Sequence, residues 1–260
     1  MSQAHGARRP LAYNDDEFLE SEEARPLRII AEYLEPLRTF TRQNVQNTIV
    51  FFGSARVTPD GPLGRYYQDA RHLAHLLTSW STETPYPGGL VVCTGGGGGI
   101  MEGANRGASE AGGKTIGLNI GLPHEQRPNP YITPGLSLEF RYFFMRKLWF
   151  AHLARALVVF PGGFGTLDEL TEILTLAQTK KLGRSIPIIL YGPSYWKEIL
   201  NFDAMVRHGV ISEADLDLFH FADDPKSAFD ILQSRLTAET GVPSPAFARS
   251  QTPPPAPVGV

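Results

Sequence analysis

Residues 156–170 read Ala156-Leu157-Val158-Val159-Phe160-Pro161-Gly162-Gly163-Phe164-Gly165-Thr166-Leu167-Asp168-Glu169-Leu170, an apolar run that meets a glycine turn and continues into a helical pattern. Leu157 to Phe160 are too few for a helix, rich in β-formers and bounded by Pro161, so they read as a buried strand. Gly162, Gly163 and Gly165 permit positive φ and leave backbone N–H groups open to a ligand. The first amides of the helix that follows are unpaired and carry the positive end of its dipole, which suits a phosphate. Thr166 is placed to cap that helix or to bond a phosphate oxygen. Asp168 and Glu169 read as first-turn acids, which the dipole favours without any functional role.

A second unit of the same kind lies upstream. Leu90 to Thr94 is an apolar strand, Gly95 to Gly99 a glycine run, and Ile100 to Ala108 a helical pattern. Two strand, glycine loop and helix units imply a site built from two loops at the carboxyl edge of a parallel sheet. The glycine run only approximates G-x-G-x-x-G. A dinucleotide fold carries an acid about 20 positions on; the strand over Lys114–Ile120 ends instead with Asn119.

Working outward, strands are expected at Thr48–Gly53, Leu90–Thr94, Lys114–Ile120, Ala156–Phe160 and Ile186–Tyr191, with a last one at Phe219–Ala222. Helical patterns separate them at Tyr66–Trp80, Ile100–Ala111, Arg141–Leu153, Leu167–Lys181 and Tyr195–His208, and one more begins near Pro225. The fold expected is α/β, a Rossmann-like doubly wound parallel sheet with helices on both faces and right-handed crossovers. Four stretches are expected: a disordered N-terminus over 1–16, a helical extension over 17–45, the nucleotide-binding domain over 46–240, and a disordered proline-rich tail over 241–260. Within the extension, Pro36 is expected to kink or interrupt the helix.

The 260 residues are 42% hydrophobic and 20% charged, enough for one sizeable core. A net charge of −3 with scattered basic residues does not indicate a nucleic-acid surface. No apolar run is long enough to span a membrane, and Met1–Asn14 lacks a signal-peptide core, so a cytoplasmic protein is expected. The single cysteine, Cys93, reads as a small apolar residue on a buried strand. His72 and His75 share a helix face without a Cys or paired acid to complete a metal set, and no metal or cofactor is expected. His124 lies in a loop over Pro123–Pro134 that suits a lid or a plain surface. Asn105 and Arg106 either reach the ligand or face solvent, and Trp149 and Phe150 read as core or oligomer interface.

Four motifs in consistent order resemble the LOG family, formerly described as lysine decarboxylases: Phe52-Gly53-Ser54-Ala55-Arg56, Gly95-Gly96-Gly97-Gly98-Gly99-Ile100-Met101-Glu102, Phe143-Phe144-Met145-Arg146-Lys147, and Pro161 to Glu169. The resemblance runs from about Thr48 to Ile231. It implies a phosphoribohydrolase of nucleoside 5′-monophosphates, including cytokinin ribotides, acting as a homodimer or larger homo-oligomer. It further implies Arg146 and Glu169 as the catalytic pair. Nucleotide contacts are implied at Gly53 and Ser54, at Gly96, Gly97, Gly98 and Gly99, at Met145 and Lys147, and at Pro161, Gly162, Gly163, Phe164, Gly165 and Thr166. Many family members carry His two residues before the arginine, where this chain has Phe144.

That chemistry suits those residue types. Cleavage of an N-glycosidic bond passes through an oxocarbenium-like centre that a carboxylate stabilises or supplies with an oriented water. A permanently charged arginine grips phosphate or ribose hydroxyls, or orients the carboxylate. The plain alternative is that Arg146 salt-bridges a surface acid. Two other functions remain open. Molybdenum-cofactor carriers have a similar sheet and glycine loop without hydrolysing their ligand, and a pyridoxal-phosphate decarboxylase would need a Schiff-base lysine, for which Lys147 is the candidate.

Overall fold

The computed structural model describes residues 9–83, 86–121 and 127–238. After a 3-10 turn at Ala12–Asn14, the chain runs α1 (Asp16–Glu20), α2 (Arg25–Arg42), β1 (Thr48–Phe52), α3 (Gly64–Glu83), β2 (Val91–Thr94), α4 (Ile100–Glu110), β3 (Thr115–Ile120), β4 (Ser137–Phe140), α5 (Phe143–Leu153), β5 (Ala154–Val159), α6 (Phe164–Gln178), β6 (Ile188–Tyr191), α7 (Pro193–Ile199), α8 (Phe202–Arg207), a 3-10 segment (Glu213–Leu218), β7 (His220–Ala222) and α9 (Pro225–Ala238). The seven strands form one sheet in the order β4-β3-β2-β1-β5-β6-β7. Every pairing is parallel. This is the doubly wound α/β fold that the alternation of strands and helices predicts.

Successive residues of a strand face opposite sides of the sheet, and β1 shows the consequence. Ile49 and Phe51 enter one core with α3, α4 and α9, whereas Val50 and Phe52 enter the other with α2, α5 and α6. All five residues of β1 are buried, as a central parallel strand covered on both faces requires. On α4, Gly103 and Gly107 lie against the backbone of α3: an added Cβ at Gly107 would come within 1.9 Å of the Arg71 carbonyl oxygen. These two glycines let α4 seat close to α3, which fixes where its N-terminus points.

Several expectations change. Strand β4 adds to the strands expected; Ser137 and Glu139 are exposed while Leu138 and Phe140 are buried, the alternation of an edge strand only four residues long. The single helix expected over Tyr195–His208 is two, because Asn201 leaves helical geometry and its side chain accepts from Ala204 N–H at 2.9 Å to start α8. Helix α2 runs through Pro36 without interruption. The extension shares the main core, since Phe40 and Val45 pack in it. Residues 9–16 include the 3-10 turn and the start of α1. The expectations for residues 1–8, His124 and the tail over 241–260 concern positions outside the described residues. Among the described residues no helix is long and apolar enough to cross a membrane.

Candidate active site

A cleft of about 830 Å³ opens at the carboxyl edge of the sheet. It lies over the ends of β1 and β5, where the strand order reverses, the place at which open α/β sheets bind ligands. Gly53, Ser54, Ala55 and Arg56 line it after β1, Gly95 after β2, Met101 from α4, Arg146 from α5, Pro161 to Leu167 and Glu169 from the loop and helix after β5, and Tyr195 and Ile199 from α7. The loops are tied to one another: Ser54 N–H donates to Pro161 C=O at 3.0 Å and Ile100 N–H to Ser54 C=O at 3.1 Å. Tyr195 Oη donates to Gly162 C=O at 2.8 Å.

Arg146 is only 9% exposed and its guanidinium lies 5.3 Å and 5.5 Å from the ring centres of Phe143 and Phe150. Its Nη2 donates to Glu169 Oε1 at 2.8 Å. The plain alternative, a pair with a surface acid, is overturned, because both side chains are about nine-tenths buried. Arg146 Nε is buried with no hydrogen-bond partner among the described residues. Burial pushes the Glu169 carboxyl up, Arg146 pulls it down and Asp168 pushes it up again, leaving it at about 7. A carboxyl so placed gains or loses its proton near neutrality. Cys93, buried on β2 beneath this pair, has its thiol raised by burial and by the Glu169 charge, so it stays an inert apolar residue.

The glycine turn differs from its sequence reading in two ways. Helix α6 starts at Phe164, with Leu167 N–H donating to Gly163 C=O at 3.0 Å, so its first turn contains no acid. Asp168 and Glu169 are second-turn residues. Thr166 does not cap the helix; it is buried, with its hydroxyl under Gly162, where an added Cβ would meet it at 2.2 Å. Gly162, Gly163 and Gly165 also do not take positive φ; the positions that do are Gly96 at +74° and Gly99 at +61°, in the upstream loop. Around Gly163 and Gly165 an added Cβ would meet nothing within 4 Å. Packing against the described residues therefore gives no reason for glycine at those two positions, and both leave the amides at the start of α6 open to the cleft.

Not all of the expected contact residues reach the cleft. Gly53, Ser54, Pro161, Gly162, Gly163, Phe164, Gly165 and Thr166 line it, as do Arg146 and Glu169. Gly96, Gly97, Gly98, Gly99, Met145 and Lys147 are not among its lining residues. Met145 is buried in the core. Lys147 pairs with Asp168 at 2.7 Å and Glu172 at 3.1 Å. Burial pushes its ammonium down, but the two carboxylates outweigh this and hold it above its ordinary value. Asp168, read as a helix-start acid, thus serves as one half of a bridge between α5 and α6. Trp149 and Phe150 are core.

Asn129 and Thr94, to which the motifs give no role, hold the upstream loop in place together with Asn105. Asn129 donates from Nδ2 to the carbonyls of Gly96 (3.2 Å) and Gly97 (3.0 Å) and to Asn105 Oδ1 (2.9 Å). Thr94 Oγ1 donates to the same Asn105 oxygen at 2.7 Å and accepts from Gly96 N–H at 2.9 Å. Asn105, fully buried, donates in turn to the Thr115 hydroxyl and to Ile116 C=O at 3.2 Å. Asn105 therefore neither touches ligand nor faces solvent; it anchors the loop from below. Arg106 pairs with Glu110 at 2.9 Å and lies over the Tyr131 ring. The signal available beforehand was a polar Asn105 amid the small residues Gly103, Ala104, Gly107 and Ala108, on the face of α4 that packs inward.

A family model described as "Possible lysine decarboxylase" matches residues 101–232, half of the chain. The chain is 28% identical over 175 residues to the probable cytokinin riboside 5′-monophosphate phosphoribohydrolase LOGL5 of Oryza sativa subsp. japonica, covering 66% of this chain and 65% of that protein. It is 26% identical over 179 residues to the cytokinin riboside 5′-monophosphate phosphoribohydrolase LOG2 of Arabidopsis thaliana, covering 66% and 75% of the two. Among solved structures, a structural-genomics target shares 22% identity and a TM-score of 0.52 over 72% of this chain and 99% of its own. The molybdenum cofactor carrier protein of Chlamydomonas reinhardtii shares 23% and 0.50 over 74% and 99%. Both likenesses concern the fold alone. The match to half of the chain, joined to relatives named as phosphoribohydrolases, shows that this chain belongs to the family described as possible lysine decarboxylase, the LOG family.

Proposed function

We propose that this protein hydrolyses the N-glycosidic bond of a purine nucleoside 5′-monophosphate, AMP or a cytokinin ribotide, to the free base and ribose 5-phosphate. The observation that carries this reading is the buried Arg146–Glu169 pair, joined at 2.8 Å on the wall of a cleft whose rim is the N-terminus of α6. The 5′-phosphate binds the amides of Phe164, Gly165 and Thr166, which precede the first hydrogen bond of the helix. The ribose then lies toward Glu169, one turn further along. As the bond between C1′ and the base nitrogen breaks, its electron pair leaves with the base and positive charge develops on the ribosyl ring. Ionised Glu169 stabilises that charge and takes one proton from the water whose oxygen bonds C1′; the base nitrogen that carries off the electron pair takes one proton from solvent, and Glu169 then returns its proton to solvent, so the water is divided between ribose and base. Arg146 orients the carboxylate and favours its ionised form against the burial that opposes it.

The cleft does not suit the pyridoxal chemistry that the family's description implies. None of its lining residues is a lysine, and Lys147 is engaged by two carboxylates outside it. The reading is tested by incubating the protein with AMP and cytokinin ribotides and measuring released base. Wild type is expected to release base, with Glu169→Gln and Arg146→Ala each lowering kcat by about a hundredfold or more while remaining folded. Tight nucleotide binding without release from any of these substrates would make the protein a carrier. The homo-oligomer implied by the resemblance is checked by light scattering on the same sample.

A further inference from the structure

Helix α5 carries Arg146, yet it has no cap of its own: the side chain of Tyr142, at its N-cap, makes no capping bond. The first amides of an uncapped helix need partners from elsewhere. Here the N-terminal extension holds the two residues that lead into the helix, Arg141 and the N-cap Tyr142. One carboxylate oxygen of Glu32, on α2, accepts from Arg141 N–H at 2.7 Å and the other from Tyr142 N–H at 3.2 Å. An anion at this position also suits the helix dipole.

Glu32 holds α5 from its other end as well. Pro36 has no N–H, so the Glu32 carbonyl four residues earlier is left without its helical partner. Trp149 Nε1, on α5, donates to it at 3.1 Å. The proline expected to disturb α2 thus exposes a carbonyl that α5 uses. Tyr33 and Phe40 of α2 flank the Trp149 ring at 5.6 Å and 5.3 Å, and Arg28 Nε donates to the Tyr142 hydroxyl at 3.3 Å. On its opposite side α5 meets α6 through Arg146–Glu169 and through Lys147 with Asp168 and Glu172. The helix is gripped by α2 on one side and reaches for the catalytic carboxylate on the other.

We propose that Glu32 is a positioning residue for Arg146: bonded to the start of α5 and to Trp149, it sets the distance between the Arg146 guanidinium and Glu169. This makes the N-terminal extension part of the catalytic apparatus, and it rests on the functional reading above only for its kinetic consequence. The groups that face Glu169 are Arg146 and Lys147 from α5, Asp168 and Glu172 from its own helix, and Cys93 from β2. Glu32 is not one of them. Removing its negative charge acts on Glu169 in the direction opposite to the loss of Arg146: any direct effect lowers the carboxyl, whereas retreat of Arg146 raises it.

The test is the titration of Glu169 in the full-length protein, followed by carboxyl-carbon NMR with Glu169→Gln to assign the resonance. In Glu32→Ala the midpoint is expected to rise by roughly half a unit or more above wild type, and in Glu32→Gln, which keeps an acceptor oxygen, to return toward it. An unchanged or lowered midpoint in folded Glu32→Ala overturns the proposal. If Glu32→Ala does not fold, Glu32→Asp decides, its carboxylate ending one methylene short of the two amides: a raised midpoint supports the proposal and a wild-type midpoint overturns it. The titration needs no substrate, so it stands or falls apart from base release. Where release is observed, kcat/KM of Glu32→Ala is expected to bend at the same raised pH.

Discussion

Arg146 and Glu169 face each other from neighbouring helices, α5 and α6, with Nη2 and Oε1 2.8 Å apart and about nine-tenths of each side chain withdrawn from water. Burial disfavours the ionised carboxylate, the guanidinium favours it, and the balance near pH 7 makes its protonation the variable most exposed to experiment.

If the ionised form of Glu169 is the active one, kcat/KM for base release falls about tenfold for each pH unit below its midpoint. The bend is expected at about pH 7. Arg146→Ala removes the group that lowers the carboxyl, so whatever activity it retains is expected to bend at a higher pH. A profile flat between pH 5 and pH 8 would remove Glu169 from the chemical step.

The same shift makes stability depend on pH. Glu169 is raised from 4.5 to about 7 in the folded state, so between these values the folded chain holds a proton that the unfolded chain has released. Its stabilising contribution is complete below 4.5 and is lost as pH rises through about 7. Urea unfolding of wild type and Glu169→Gln at pH 5 and pH 8 is expected to show wild type losing ground to the variant with rising pH, by roughly 2–3 kcal/mol. Equal changes in the two proteins would show that the carboxyl is not raised.

Two glycines of the turn, Gly162 and Gly165, are expected to separate by role. Gly165→Ala meets nothing within 4 Å and lies inside α6, so it is expected to leave stability unchanged or raise it, while weakening AMP binding measured by calorimetry. Gly162→Ala drives a methyl into Thr166, and overpacking of this kind costs roughly 1–3 kcal/mol. The double variant with Thr166→Ala is expected to recover most of that loss. Full AMP affinity in Gly165→Ala would move the phosphate away from this turn.

Asn105→Ala leaves the Thr94 and Thr115 hydroxyls and the Asn129 amide without their shared buried partner. Denaturant unfolding is expected to show a loss of roughly 2–3 kcal/mol, and the double variant with Asn129→Ala to lose less than the sum of the single changes. Strict additivity would mean that the two asparagines do not act as one network.

The order of elements was legible because local signals are strong where short apolar runs meet glycine turns. Leu157–Gly165 and Val91–Met101 each contain a buried strand, its end and the start of a helix, and two such units separated by helices admit little besides a parallel sheet. The two residues proposed as the catalytic pair were legible too, through the motifs around Arg146 and Glu169, and the fold brings them to 2.8 Å of each other. Strand β4 was not: Ser137 to Phe140 carry too short a pattern, and they are a strand because they pair with Gly117 to Ile120 of β3. Nor were the tasks of Lys147, Asp168, Asn105 and Thr166, which are set by groups brought close by the fold. Sequence pattern reaches a few residues along the chain, enough to state that Glu169 follows a glycine turn. Its protonation and its arginine are decided by burial between α5 and α6, and the place of that arginine by Glu32, more than a hundred residues earlier in the chain and one hydrogen bond away from the start of α5.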